Sequence, residues 1–66
     1  MAVLKVIEVL ASSDKSWEDA TQKAVDQAAK SLKHIRSVYV QEQSAIVKES
    51  KIVEYRVNLK LSFEIE

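Results

Sequence analysis

From Val53 onward, apolar and polar residues alternate without a miss. Val53, Tyr55, Val57, Leu59, Leu61, Phe63 and Ile65 take one phase, and Glu54, Arg56, Asn58, Lys60, Ser62, Glu64 and Glu66 take the other. In an extended chain, successive side chains point to opposite faces, so this segment is predicted to be a half-buried β-strand. At about 3.3 Å per residue it would run on the order of 45 Å. One short helix cannot cover that length, and the strand's ends are expected to meet neighbouring subunits. Upstream the period changes. Trp17, Ala20, Ala24, Val25, Ala28, Ala29 and Leu32 recur at three- and four-residue spacing, with Glu18, Asp19, Gln22, Lys23, Asp26, Gln27, Lys30 and Lys33 opposite them. That pattern predicts an amphipathic helix of roughly four to five turns, whose alanine stripe can lie close on a sheet. Ser16, with Asp19 three residues later, supplies the N-cap. Acids fill the first turn, and Lys30, Lys33 and His34 are expected in the last, where the helix dipole favours cations.

The remaining segments complete the order. Ala2 to Leu10 is rich in Val, Ile and Leu and reads as a first strand, with Lys5 and Glu8 interrupting its alternation. Ala11 to Lys15 is a polar loop, Ser37 to Val47 a second strand, and Lys48 to Lys51 a turn that predicts a hairpin with the last strand. The sum is a β-α-β-β chain of the α+β class. It is expected to form a three-stranded antiparallel sheet wrapped on one amphipathic helix, with residues 1–66 as a single domain.

Length makes such a domain marginal alone, since a chain of about 60 residues buries only about 60% of its unfolded surface. Disulfides and structural metals are the usual remedies, but the chain has no cysteine and one histidine, His34. Self-association is the remedy left. Ten Lys plus Arg balance ten Asp plus Glu, which removes the positive field that nucleic-acid binding needs. The apolar N-terminal stretch is broken by Lys5 and Glu8 and is too short for a membrane span or secretion signal. A cytoplasmic address is therefore expected, with neither nucleic acid nor membrane as partner. One histidine, no cysteine and no glycine-rich loop make no interpretable catalytic set, so the chain reads as a binding protein and not an enzyme.

Val6-Ile7-Glu8-Val9, Ser16-Trp17-Glu18-Asp19-Ala20 at the helix start, Ile35-Arg36, and the run from Glu54 to Ile65 together resemble the dodecin family. The likeness covers nearly the whole chain. It implies a β-α-β-β subunit of a hollow homododecamer that holds a small ligand, with flavin (FMN or riboflavin) as the family default. Flavin-binding members carry a stacking tryptophan in a run like L-R-W-F, where this chain reads Ile35-Arg36-Ser37-Val38. A family glutamine in H-Y-Q-V, which bonds the flavin edge, corresponds to Arg56 in Glu54-Tyr55-Arg56-Val57. An arginine and glycine in a run like E-T-R-G-H correspond to Ser44 and Ala45. These departures resemble the calcium-dodecin subgroup, so flavin binding is expected to be weak or absent here and calcium becomes a candidate.

The candidate ligand-binding residues are accordingly Ser37, Val38, Glu54 and Arg56. Losing stacking, worth roughly 0.5 to 1.5 kcal/mol per aromatic pair, weakens any flavin site. Facing copies of Arg56 would favour an anion or a planar ring; the simpler reading is an ion pair with Glu54. The candidate metal ligands are Glu8, Glu42 and Glu64. Ca²⁺ takes six to eight oxygens and the chain has no calcium loop, so these carboxylates, with Glu54 and Glu66, could converge only through symmetry. Trp17 reads as a core or interface anchor and His34 as a helix end. A shell with no ligand, structural or protein-binding, is the alternative from a different class.

Overall fold

The computed structural model describes residues 3–65. Ala2, the expected start of the first strand, and Glu66, the last of the alternating carboxylates, lie outside the described residues. Four elements follow in order: β1 (Val3–Ser13), α1 (Trp17–Ala28), β2 (Ile35–Lys48) and β3 (Lys51–Ile65). The sheet runs β1-β3-β2, and both pairings are antiparallel. The β-α-β-β topology is as expected, with β3 in the middle. That position accounts for its clean alternation, because both edges are hydrogen-bonded and the helix covers one face.

The core is where the two periodicities meet. Val57, Leu59 and Leu61 of β3 are buried, and Ala20 and Ala24 bring the smallest side chains of α1 against Val57 and Leu59. Val9, Ala11 and Trp17 close the cluster. Each fully buried aliphatic side chain of this size contributes roughly 1.5 to 3 kcal/mol. At the helix start, Ser16 Oγ accepts from the Asp19 backbone N–H at 2.9 Å, as its spacing predicts.

The helix end differs from the expectation. It stops at Ala28, about a turn short of Leu32, and no basic residue lies in its last turn. The backbone N–H groups of Lys30 and Ser31 donate to the carbonyls of Gln27 and Ala28, tightening the chain into a 3₁₀-like turn. His34 then takes a left-handed conformation, φ 62°, and its carbonyl accepts from the Glu64 N–H at 3.0 Å. Pairing with β3 thus takes over before another helical turn forms, so Lys30, Lys33 and His34 do not serve the helix dipole.

The strands also run further than their composition suggests: β1 to Ser13, and β2 from Ile35 to Lys48. Glu49 and Ser50 make the hairpin turn with φ of 52° and 65°, a geometry whose twist matches the flanking strands. Within β2 the register shifts between Ile35 and Ser37, between Val40 and Glu42, and between Ile46 and Val47. The middle shift is a β-bulge at Gln41. Val40 lies opposite Leu59 on the helix side, whereas Glu42 lies opposite Asn58 on the open side.

The molecule measures 50 × 20 × 13 Å. A helix of 12 residues spans about 18 Å, so it covers only the middle of the sheet. Leu4, Val6, Leu10 and Tyr39 stay exposed on the open face, and Val47, Ile52 and Val53 stay exposed near the hairpin.

Candidate functional site

A cleft of about 570 Å³ lies on the open face of the sheet. Register builds it. Ser12, Arg56 and Ser44 lie side by side on one rung, and Leu10, Asn58 and Glu42 on the next. Glu54 closes one end, two residues from Arg56 and on the same face. Arg56 Nε donates to Glu54 Oε2 at 3.1 Å. The simpler reading of Arg56 is thus realised in the geometry, and the pair is exposed enough that it adds little to stability, about 0 to 1 kcal/mol.

Asn58 differs from its neighbours. Its Oδ1 is buried and accepts no hydrogen bond among the described residues. An unpaired buried acceptor of this kind costs about 1 to 3 kcal/mol. Behind the cleft, on the helix side, Trp17 packs edge-on against Tyr55 with ring centroids 4.9 Å apart. Its Nε1 donates to the Ser44 carbonyl at 2.9 Å. Trp17 is therefore a half-buried anchor of the cleft wall, tying the start of α1 to β2. The bond to Ser44 is not visible in the sequence, because a 27-residue separation leaves no periodic trace.

The structure separates the candidate ligand residues. Ser37 lies opposite Ser62, and its hydroxyl is hydrogen-bonded to that of Ser62. Arg56 is six residues from Ser62 along β3, or about 20 Å. Within one chain, therefore, Ser37 and Arg56 do not meet. Val38 lies opposite Leu61, on the helix side of the sheet, so it does not share a face with Ser37 or Arg56. Only Glu54 and Arg56 of this set line the cleft.

The metal candidates are spread in the same way. Glu8 lies opposite Lys60, Glu42 opposite Asn58 and Glu64 opposite Leu4. Glu64 Oε1 accepts from Arg36 Nε at 2.9 Å. Among the described residues no group of three or more acidic, histidine or cysteine side chains is placed to hold a metal ion. One chain cannot furnish the six to eight oxygens of a Ca²⁺ site from these carboxylates. Outside the cleft, Asp19 Oδ2 accepts from Ser13 Oγ at 2.5 Å and pairs with Lys23 at 3.3 Å. The Ser13 hydroxyl, against some desolvation and with help from Lys23, holds the Asp19 carboxyl below its ordinary range. No helix among the described residues is long and apolar enough to cross a membrane.

Known proteins share this architecture. A calcium dodecin of Mycobacterium tuberculosis is 38% identical over 65 residues, covering 98% of this chain and 92% of the relative. Its crystal structure, described as that of a calcium-chelating antigen with a novel calcium-binding site, superposes with a TM-score of 0.84 and 37% identity, covering 98% of this chain and 93% of that one. A Thermus thermophilus dodecin variant with an arginine-to-alanine substitution superposes at a TM-score of 0.93 with 32% identity, covering 100% of this chain and 98% of that one. The family model for dodecin matches residues 3–66. Sequence and structure agree over essentially the whole chain, and the protein belongs to the dodecin family.

Proposed function

We propose that this chain is one subunit of a hollow homododecamer that binds and stores a small ligand or ion in the cytoplasm, without catalysing a reaction. The observation that carries this reading is the open sheet face: it holds a cleft of about 570 Å³ bearing Leu10, Glu42, Glu54 and Arg56, with exposed Tyr39, Val6 and Leu4 further along the same face. A face that is both apolar and charged suits a surface shared between subunits, with a ligand enclosed at the seam. The separation of Ser37 from Arg56 fits the same arrangement, since a pocket using both takes them from different subunits.

Flavin is the weaker ligand. Ser37 replaces an aromatic ring and is already bonded to Ser62, and Arg56 offers donors only. Calcium is the second reading, favoured by the likeness to a calcium dodecin. Glu8, Glu42 and Glu64 on one sheet face are carboxylates that symmetry can bring to a common axis. Balanced charge argues against nucleic acid as a partner. Absorbance of the purified protein in the flavin bands, with elemental analysis beside it, tests the reading directly. Bound flavin or about one calcium per symmetric site supports a ligand shell. A pure apoprotein that takes up neither supports a structural shell.

A further inference from the structure

We infer that the cleft takes a small dipolar molecule of the amino-acid class, with its ammonium at Glu42 and its carboxylate at Arg56. This deepens the ligand-binding reading and rests on it. Glu54 engages the Nε of Arg56, and among the described residues the two terminal guanidinium nitrogens, which can grip a carboxylate in a bidentate fork, make no hydrogen bond. One step along β3 is Asn58, and Glu42 stands directly across from it on β2, lining the cleft. Among the described residues Glu42 makes no ion pair. The Glu42 carboxylate calls for a cationic N–H donor, which would neutralise it. Arg56 and Asn58 are alternate residues of one strand, so their backbones are about 7 Å apart. The anion-seeking and cation-seeking ends of the cleft thus lie within the span of one small molecule. Exposed Leu10, on the Asn58 rung, offers an apolar wall for a short aliphatic body.

Neither head alone uses the layout. A bare carboxylate meets Arg56 but also the charges of Glu54 and Glu42, and a bare amine meets Glu42 but also Arg56. The test is calorimetric titration of the assembled protein with L-leucine, with 4-methylpentanoate, which lacks the ammonium, and with 3-methylbutylamine, which lacks the carboxylate. L-leucine is expected to bind at least about tenfold more tightly than either, the loss of one charge-assisted hydrogen bond. Arg56→Gln should erase the preference over the amine, and Glu42→Gln the preference over the acid, with oligomer mass unchanged in both. Equal affinity for all three compounds, or no heat with L-leucine, overturns the inference. If Ca²⁺ or riboflavin still binds in that case, the ligand-binding reading survives alone; if neither does, both fall.

Discussion

Leu59 and Trp17 hold the fold by different means. Leu59 is fully buried between α1 and the sheet, so Leu59→Ala removes transfer energy and leaves a cavity. It is expected to cost about 2 to 5 kcal/mol, read as a fall in the urea midpoint at fixed protein concentration. Trp17 adds a directed bond to its packing. Trp17→Phe keeps the ring beside Tyr55 but deletes the N–H that reaches the Ser44 carbonyl. A loss of about 1 kcal/mol is expected, and an unchanged midpoint would show that water replaces the indole at no cost. Asp19 sets the acid limit. Its carboxyl is held below its ordinary value, so it binds protons more weakly folded than unfolded. Its contribution is present above its unfolded pKa, about 3.9, and is lost as pH falls through the lower folded value. Thermal melts of Asp19→Asn and the parent should converge on acidification below about pH 4 and separate above it, the parent melting higher.

At the scale of elements, the hairpin turn carries a correctable cost. Glu49 and Ser50 both hold positive φ, where a Cβ is crowded and where Asn and Gly rest easily. Replacing the pair by Asn-Gly is expected to raise stability by about 1 kcal/mol, seen as a higher melting temperature with mass unchanged. The turn also shows what sequence can and cannot disclose. Lys48 to Lys51 marks a reversal by polarity alone, and β3 announces itself through its alternation because it is central and covered on one face. The start of α1 is equally legible, since a serine cap acts within three residues. Its end is not, because His34 turns only to meet Glu64 thirty residues later, a choice that no local preference records. The site was least legible: Arg56 and Glu54 sit two apart on one strand and pair as their spacing suggests, but Val38 lands on the opposite face from Arg56 and Asn58's stranded oxygen has no signature in a polar position.

For the whole molecule the governing fact is how little one chain covers. A sheet drawn out to 50 Å under a short helix leaves apolar residues at both ends and across one face. Light scattering is expected to give roughly 90 kDa, twelve times 7.5 kDa, with folding lost on dilution, as linkage between assembly and stability requires. A folded monomer would remove the shell reading. The ligand site answers to a second measurement. Ser37→Trp with Arg56→Gln should raise riboflavin affinity at least about tenfold, because a restored ring supplies stacking and glutamine offers both a donor and an acceptor. Quenching of riboflavin emission reports it. Since the two positions are about 20 Å apart in one chain, mixing the single variants in one assembly should recover part of the gain, which two independent pockets would not do.

The bulge at Gln41 has a consequence for how such a sequence can change over generations. From Ser37 to Val40, odd-numbered residues of β2 look out from the sheet and even-numbered ones look toward the helix; just past the bulge the convention reverses, so Glu42 and Ser44 join Arg56 on the open side. An in-frame loss of that one codon would make Val40 and Glu42 direct neighbours, still opposite Leu59 and Asn58, so the bulge would vanish while Glu42 and Ser44 stayed outward; an added residue in the regular stretch beyond it would instead carry them toward the core. Point substitutions can therefore retune the cleft one residue at a time, and lineages carrying it are expected to tolerate loss of the residue at Gln41 more readily than a change of length in the regular stretch from Glu42 to Ser44.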